Sequence, residues 1–119
     1  MFINLSNHPS DQWGEEQRKA AEAYGRIIDL PFPDIAPSFD KELVRQMAEF
    51  TVFNITSNLT GAMQPVVHIM GEMTYTYAVV SLLKAKGIKC VASTTERNTV
   101  MTPDGKKISE FKFVQFREY

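Results

Sequence analysis

Three short polar segments directly follow apolar runs, and their residue types could do chemistry together. They are Ser6-Asn7-His8, Gly71-Glu72-Met73-Thr74 and Ser93-Thr94-Thr95-Glu96-Arg97. Hydroxyl groups and a guanidinium group suit a phosphate or a base. A glycine at the start of a helix exposes backbone N–H groups, which favour an anion. The residue types therefore favour binding of a small phosphate-bearing ligand.

Each segment also has a structural interpretation. Asn7 and His8 are equally typical of a polar turn before a helix, and Glu72 could simply complement the dipole of the helix that it begins. Ser93 to Arg97 could be a strand that leaves the core as a solvated hairpin. The glycine segment lacks the further glycines and the Lys-Ser/Thr pair of a dinucleotide or P-loop motif.

The stretch from Val66 to Arg97 must position two of the segments. An apolar run ends at Met70, an amphipathic run follows up to the helix-stopping Gly87, and Ile88 to Ala92 is apolar again. This order predicts one strand–helix–strand unit, whose parallel strands end at the same edge of the sheet. A central first strand would bring Asn7 and His8 to that edge, where open α/β sheets bind ligands.

The N-terminal half predicts two further strands and two helices. Strands are predicted at 2–5 and 26–30, with a helix over about 12–25 between them that Asp11 or Ser10 caps. A second helix follows Asp40 as its cap and reaches Ser57 or Leu59, closed by Gly61. One face of the first helix and one of the second are expected to be buried: Trp13, Ala20, Ala21 and Tyr24, and Leu43, Val44, Met47, Phe50 and Thr51.

The C-terminal segment predicts a β-hairpin. Thr102-Pro103-Asp104-Gly105 is a turn signal. Alternation then puts Phe111, Phe113 and Gln115 on one face and Val114 and Phe116 on the other. The chain thus reads as a single domain over residues 1–119. Its predicted class is α/β, a Rossmann-like, mostly parallel sheet flanked by helices, with a C-terminal antiparallel hairpin.

Composition excludes several classes of function. The net charge is −1, so binding of long nucleic acid through phosphate neutralisation is not expected. No apolar run reaches the ~20 residues of a membrane span. The single cysteine, Cys90, lies in an apolar strand, which predicts a core position and a reducing, cytoplasmic setting. His8 and His68 have no third ligand at useful spacing, so neither a metal nor a cofactor is expected, and His68 is expected to be a hydrogen-bonded core residue.

The segments Asn7-His8-Pro9, His68-x-Met70-Gly71-Glu72-Met73-Thr74 and Ser93-Thr94-Thr95-Glu96-Arg97 resemble those of small CRISPR-associated proteins of type III systems. Those proteins have a CARF-like fold, and several are ring nucleases. The resemblance implies a homodimer that binds cyclic oligoadenylate, commonly the four-membered ring. It also implies metal-independent cleavage, in which a ribose 2′-hydroxyl attacks the adjacent phosphate and leaves a 2′,3′-cyclic phosphate.

The resemblance also implies roles for individual residues. Gly71, Glu72, Met73 and Thr74 would cradle phosphate, and Thr94, Thr95 and Arg97 would contact phosphate or ribose. Ser6, Ser93 and Glu96 belong to the same expected ligand-binding set. Arg97 would stabilise the transition state, while Asn7 and His8 would position the ribose or protonate the leaving oxygen. Two alternatives stay open: a sensor or sponge that binds the ring without cutting it, and an unrelated small α/β interaction module.

Overall fold

A computed structural model describes residues 1–57 and 64–119. The described chain is a five-stranded sheet in the order β2-β1-β3-β4-β5 with three α-helices. The elements are β1 (Phe2–Ser6), a 3₁₀ turn (Ser10–Gln12), α1 (Glu15–Glu22), β2 (Ile27–Pro31), α2 (Lys41–Ser57), β3 (Val66–Met70), α3 (Met73–Ala85), β4 (Lys89–Met101) and β5 (Lys107–Glu118). None of the helices in these two described ranges is long and apolar enough to cross a membrane.

The pairing confirms the predicted fold class. β1 pairs in parallel with β2 and β3, β3 pairs in parallel with β4, and only β5 is antiparallel. Every residue of β1 is buried, as expected for a strand with neighbours on both sides. The C-terminal ends of β1 and β3 therefore lie side by side, with Ser6 opposite Met70.

Helices α2 and α3 cover one face of the sheet with the larger apolar cluster. The carboxylate of Asp40 accepts a hydrogen bond from the backbone N–H of Leu43 at 2.9 Å, which confirms the predicted cap. The predicted buried face of α2 was wrong at Leu43 and Phe50, which are 39% and 67% exposed. The buried stripe of α2 instead follows helical spacing through Val44, Ala48, Val52 and Ile55. Leu59 and Gly61, predicted to end this helix, lie outside the described residues.

Helix α1 covers the opposite face and is shorter than predicted. It begins at Glu15 after Gly14, and no side chain caps it. The predicted capping by Ser10 or Asp11 was wrong: the Ser10 hydroxyl donates instead to Asp29 across the sheet edge, at 2.7 Å. Trp13 precedes the helix, and its ring meets that of Phe2 edge-on.

β4 does not end at Ala92 as predicted. It continues to Met101, because β5 pairs with it along its whole length beyond the parallel part of the sheet. The polar residues after Ala92 are thus strand residues, and the two strands form an antiparallel ribbon closed by the predicted turn at Thr102 to Gly105. The ribbon explains a radius of gyration of 16.3 Å, against about 13.5 Å for a compact domain of this size.

A β-bulge changes the alternation within the ribbon. Thr94 pairs with Gln115 but Thr95 pairs with Phe113, so Val114 is the extra residue. The bulge moves Phe113 to the same face as Phe116, and the two ring centroids lie 4.9 Å apart. The prediction that Phe113 and Phe116 lie on opposite faces was therefore wrong.

Candidate ligand-binding cleft

A cleft of about 1020 Å³ opens at the C-terminal edge of the sheet, on the α1 face. Its floor is formed by the ends of β1, β3 and the parallel part of β4. One wall is Trp13 with the first turn of α1, and the other is the ribbon at Phe111 to Phe113. Six predicted site residues line it: Ser6, Asn7, His8, Gly71, Ser93 and Thr95. The three polar segments thus meet at one rim, as the strand order predicts.

The remaining predicted residues of β4 lie outside this lining. The Arg97 guanidinium donates two hydrogen bonds to the Ser109 hydroxyl, from Nε at 3.2 Å and Nη2 at 3.1 Å. Strand alternation puts Arg97 on the same face as Ser93 and Thr95, further out along the ribbon. Thr94 and Glu96 alternate to the other face, where the Thr94 hydroxyl donates to the Gln115 carbonyl at 3.1 Å.

The residues after Gly71 are occupied with their own helix. The Glu72 carboxylate caps α3 by accepting the backbone N–H groups of Thr74 and Tyr75 and the Thr74 hydroxyl. The Tyr75 N–H, with further help from Thr74, holds the pKa of Glu72 below its ordinary value. Met73 is 83% exposed and does not line the cleft. The structural interpretation of Glu72 fits these contacts, since the first N–H groups of α3 already have an anionic partner.

Gly71 is required by packing. A Cβ atom added there would lie 2.3 Å from Cζ of Phe32, whose ring also meets Tyr75 edge-on at 5.2 Å. The glycine therefore lets the loop after β2 close over the rim. On its other side, the Met70 sulfur accepts hydrogen bonds from the backbone N–H and hydroxyl of Ser93, which joins β3 to β4 at the cleft floor.

A hydrogen-bond network centred on Asn4 holds the cleft rim in place. The Asn4 amide nitrogen donates to Asp29 at 2.8 Å and to the His8 carbonyl at 2.9 Å. Its oxygen accepts from the Ser6 hydroxyl and meets Nδ1 of His68, both at 2.8 Å. Sequence reasoning missed Asn4 and Asp29; the available signal was a polar residue in the middle of each apolar strand.

Asp29 is the charged member of this network. Burial raises the pKa of its carboxyl, but hydrogen bonds from Asn4 and Ser10 and the nearby Arg18 together outweigh burial and lower the pKa below its ordinary value. Its two oxygens accept from the Asn4 amide, the Ser10 N–H and the Ser10 hydroxyl. An ionised Asp29 can only accept hydrogen bonds, which fixes the orientation of the Asn4 amide.

His68 lies at the inner end of the cleft and is 2% exposed. Its ring packs among those of Phe2, Trp13 and Phe116, at centroid distances of 6.1, 5.6 and 5.3 Å. Burial, with a smaller contribution from His8, lowers its pKa to about 4, so the ring is neutral at pH 7. The prediction of a hydrogen-bonded core histidine is confirmed.

Cys90 does not supply a reactive thiol to this region. Cys90 is buried as predicted, and burial raises the pKa of its thiol to about 11, which makes it a poor nucleophile. Within residues 1–57 and 64–119, no three His, Cys, Asp or Glu side chains are grouped to hold a metal ion.

The cleft can therefore bind a ligand that is part planar and part polar. Trp13, Phe111 and Phe113 offer aromatic surface on which a base can stack. Hydroxyl and amide groups of Ser6, Asn7, Ser93 and Thr95 offer hydrogen bonds from the floor. Two histidines line the cleft. His8 is exposed to solvent, and His68 is buried.

A family model described as "Uncharacterized protein MJ1673 family" matches residues 1–117. No curated protein and no solved structure matches the chain.

Proposed function

The chain belongs to the uncharacterized protein MJ1673 family, and we propose that its cleft binds cyclic oligoadenylate and cleaves it without a metal. The observation that best supports this proposal is that residues of all three polar segments line one cleft, and that this cleft has aromatic walls. Bases would stack on the aromatic walls, and ribose and phosphate would contact the polar floor. Degradation of the cyclic messenger would switch off type III antiviral signalling, as the sequence resemblance implies.

In this proposal the nucleophile is a group of the ligand itself. The ribose 2′-oxygen attacks the adjacent phosphorus as its proton passes to a solvent water molecule, and the bond from phosphorus to the 5′-oxygen breaks. The products are a 2′,3′-cyclic phosphate and a 5′-hydroxyl. In-line positioning of the 2′-oxygen and stabilisation of charge on the phosphate supply the rate. Asn7 positions the ribose, His8 protonates the leaving 5′-oxygen, and Ser93 and Thr95 donate to the phosphate.

The proposal includes a homodimer. Clefts for drug-sized ligands have volumes of ~300–1000 Å³, and a ring of four nucleotides is larger than such ligands. A second copy facing the open side of the cleft would complete the enclosure. Arg97, which lies further out on the cleft face of the ribbon, would then exchange Ser109 for a phosphate oxygen.

A cleavage assay tests the proposal. Purified protein in excess, with EDTA, is incubated with cyclic tri-, tetra- and hexa-adenylate, and products are separated by chromatography and weighed by mass spectrometry. We expect linear products that end in a 2′,3′-cyclic phosphate, most rapidly from the four-membered ring. Intact ligand with every ring size would contradict the enzymatic proposal.

Binding without cleavage is the second candidate, and the position of Arg97 favours it. The guanidinium is held by Ser109 outside the cleft lining, whereas Glu15 and Glu16 stand within the lining. A sensor or sponge would retain intact ring after long incubation. An unrelated interaction module would show no stabilisation by the ring, whereas a ligand at ~100 times its dissociation constant adds ~2.7 kcal/mol.

Arg97→Ala tests the catalytic role of Arg97 within the first candidate. If Arg97 stabilises the transition state, the variant slows cleavage more than it weakens binding, because that contact forms only as the phosphate reacts. Single-turnover rates and dissociation constants are measured for both proteins. Equal losses in both quantities would identify Arg97 as a binding residue alone.

A further inference from the structure

The Asn4 network determines which nitrogen of His68 carries the proton. The Asn4 amide nitrogen donates to Asp29 and to the His8 carbonyl, neither of which can donate in return. The Asn4 oxygen must therefore face Ser6 and His68, where it can only accept. Because the ring of His68 is neutral at pH 7, its single proton lies on Nδ1 and Nε2 keeps a lone pair.

That lone pair has no partner in the described chain. Nε2 makes no hydrogen bond with residues 1–57 or 64–119, although the atom is buried. A buried acceptor without a donor destabilises a fold by about 1–3 kcal/mol. The surrounding network nevertheless selects this tautomer, and His68 lines the cleft. Such an arrangement is expected where a ligand supplies the missing donor.

We propose that Nε2 of His68 accepts a hydrogen bond from an N–H or O–H group of the ligand. For its ligand the proposal rests on the proposed function, in which the candidate donors are the 6-amino group of adenine and the ribose 2′-hydroxyl. An acceptor with no proton repels the 6-oxygen of a 6-oxopurine. His68 would thus be a specificity-determining residue, distinct from the rim residues that hold phosphate.

Access to Nε2 requires one neighbouring ring to move. Trp13 is the candidate, because it precedes α1 in a short connection and is only partly buried. Phe2 is fully buried in β1, and the partly buried Phe116 is held in the ladder between β4 and β5. The Trp13 indole N–H donates to the His8 carbonyl at 3.1 Å, so it is joined to the same loop that lines the cleft. A ligand that displaces this indole would reach the ring of His68.

Nitrogen-15 NMR of the imidazole rings tests the tautomer without any ligand. The chain has two histidines, so a His8→Gln variant is enough to assign the signals. At pH 7 we expect the His68 Nδ1 signal at the position of a protonated nitrogen and the Nε2 signal at that of an unprotonated one. A proton on Nε2, or fast exchange between the two forms, would overturn the inference.

The donor is identified by titration with cyclic tetra-adenylate, adenosine, inosine and 2′-deoxyadenosine. Hydrogen bonding should shift the Nε2 signal towards the protonated position and leave Nδ1 in place. If the amino group is the donor, inosine has no effect; if the 2′-hydroxyl is, 2′-deoxyadenosine has none. An Nε2 signal that stays in place with all four probes at saturating concentration overturns the inference, and a bound water then satisfies the atom.

Two outcomes separate this inference from the proposed function. A shift of Nε2 by adenosine, with cyclic tetra-adenylate neither bound nor cut, would leave the acceptor in place and remove the ring nuclease. Cleavage of cyclic tetra-adenylate with an unchanged Nε2 signal would support the ring nuclease and overturn the acceptor role of Nε2. Trp13 is the single tryptophan, so its fluorescence should change at the same ligand concentration as Nε2; constant fluorescence would overturn the movement of Trp13.

Two substitutions of His68 distinguish a hydrogen-bond acceptor from a residue that only packs. Gln at position 68 can place an amide oxygen near the site of Nε2, whereas Phe fills the space with no acceptor. We expect His68→Phe to weaken adenosine binding at least ~10-fold, as for one lost hydrogen bond, and His68→Gln to weaken it less. Equal affinities in two folded variants, checked by circular dichroism, would contradict the acceptor role.

Discussion

The two faces of the sheet are covered very differently. On one face, α2 and α3 bury the larger apolar cluster, whose members include Leu5, Ile69 and Leu83. On the other, the eight-residue α1 covers a small cluster of Phe2, Ala21 and Val91, and beside it lie Asn4, Ser6 and His68. The first face stabilises the fold by apolar burial, while the second holds buried polar groups by hydrogen bonds and leaves a cleft. Residues available for chemistry accordingly collect where the helical cover is thin.

One isoleucine on each face gives the strongest test of this contrast. Ile69 is fully buried under α2 and α3, whereas Ile27 is only partly buried on the α1 face. We expect Ile69→Ala to lower the free energy of unfolding by about 2–5 kcal/mol. Ile27→Ala should cost under about 2 kcal/mol, because less surface leaves water there. Urea denaturation measures both; equal costs would contradict the proposed difference between the faces.

The polar face should make stability depend on pH. The pKa of His68 is about 4 in the fold and near 6.5 in the unfolded chain, so the unfolded state binds more protons between these values. His68 therefore contributes fully to the free energy of unfolding above pH 6.5. This contribution declines as the pH falls towards 4, by about 3 kcal/mol in all.

Urea denaturation between pH 8 and pH 4 measures this dependence. A His68→Gln variant should lose most of the slope above pH 4.5, where carboxyl groups contribute little. His8→Gln, which changes an exposed histidine on the same face and removes only the smaller cause of the lowered His68 pKa, should keep most of the slope. An unchanged slope in the His68 variant would show that another group titrates.

Gly71→Ala tests the junction between the two faces, where the rim closes over Phe32. The added methyl group would overlap the Phe32 ring, which must then move from Tyr75. We expect a loss of about 1–3 kcal/mol, as for other overpacked sites. A double variant with Phe32→Ala serves as control, since removing the ring should abolish the extra cost of the methyl group in thermal or urea unfolding.

The smallest expected effect is a gain on the thin face. Gly14 is the N-cap of α1, provides no capping side chain and has open space where a Cβ atom would lie. Gly14→Ser should stabilise the protein by only a few tenths of a kcal/mol, by accepting a backbone N–H of the first turn. Unfolding experiments check this, with Gly14→Ala as the matched variant that adds a Cβ without an acceptor.

The sequence predicts local features and the sheet edge well. Helical spacing and glycines indicate α3 and its two strands, and the parallel connection rule places Ser6, Gly71 and Ser93 at one rim. The Asp40 cap and the turn before Lys106 are also local signals, and each is observed.

The missed features depend on residues distant in the chain. Polar side chains after Ala92 suggested a loop, but pairing with β5 satisfies the backbone and lets the strand continue past Arg97. The bond between Asn4 and His68 joins residues 64 apart, and that from Asn4 to Asp29 joins residues 25 apart. A single-sequence pattern carries no signal for such pairs, so the network and the exact lining of the cleft could not be predicted.

The extra residue at Val114 decides the chemical character of the outer cleft wall. Because β5 is offset there, the aromatic residues at positions 111 and 113 are in register with Arg97 and Thr95, while Lys112, which also lines the cleft, pairs with Glu96 between them. If β5 had no extra residue at Val114, Val114 and Lys112 would be in register with Thr95 and Arg97 and would take the place of the two aromatic residues. Relatives that differ by a single insertion or deletion at this point should therefore prefer different ligands, even with every other residue kept.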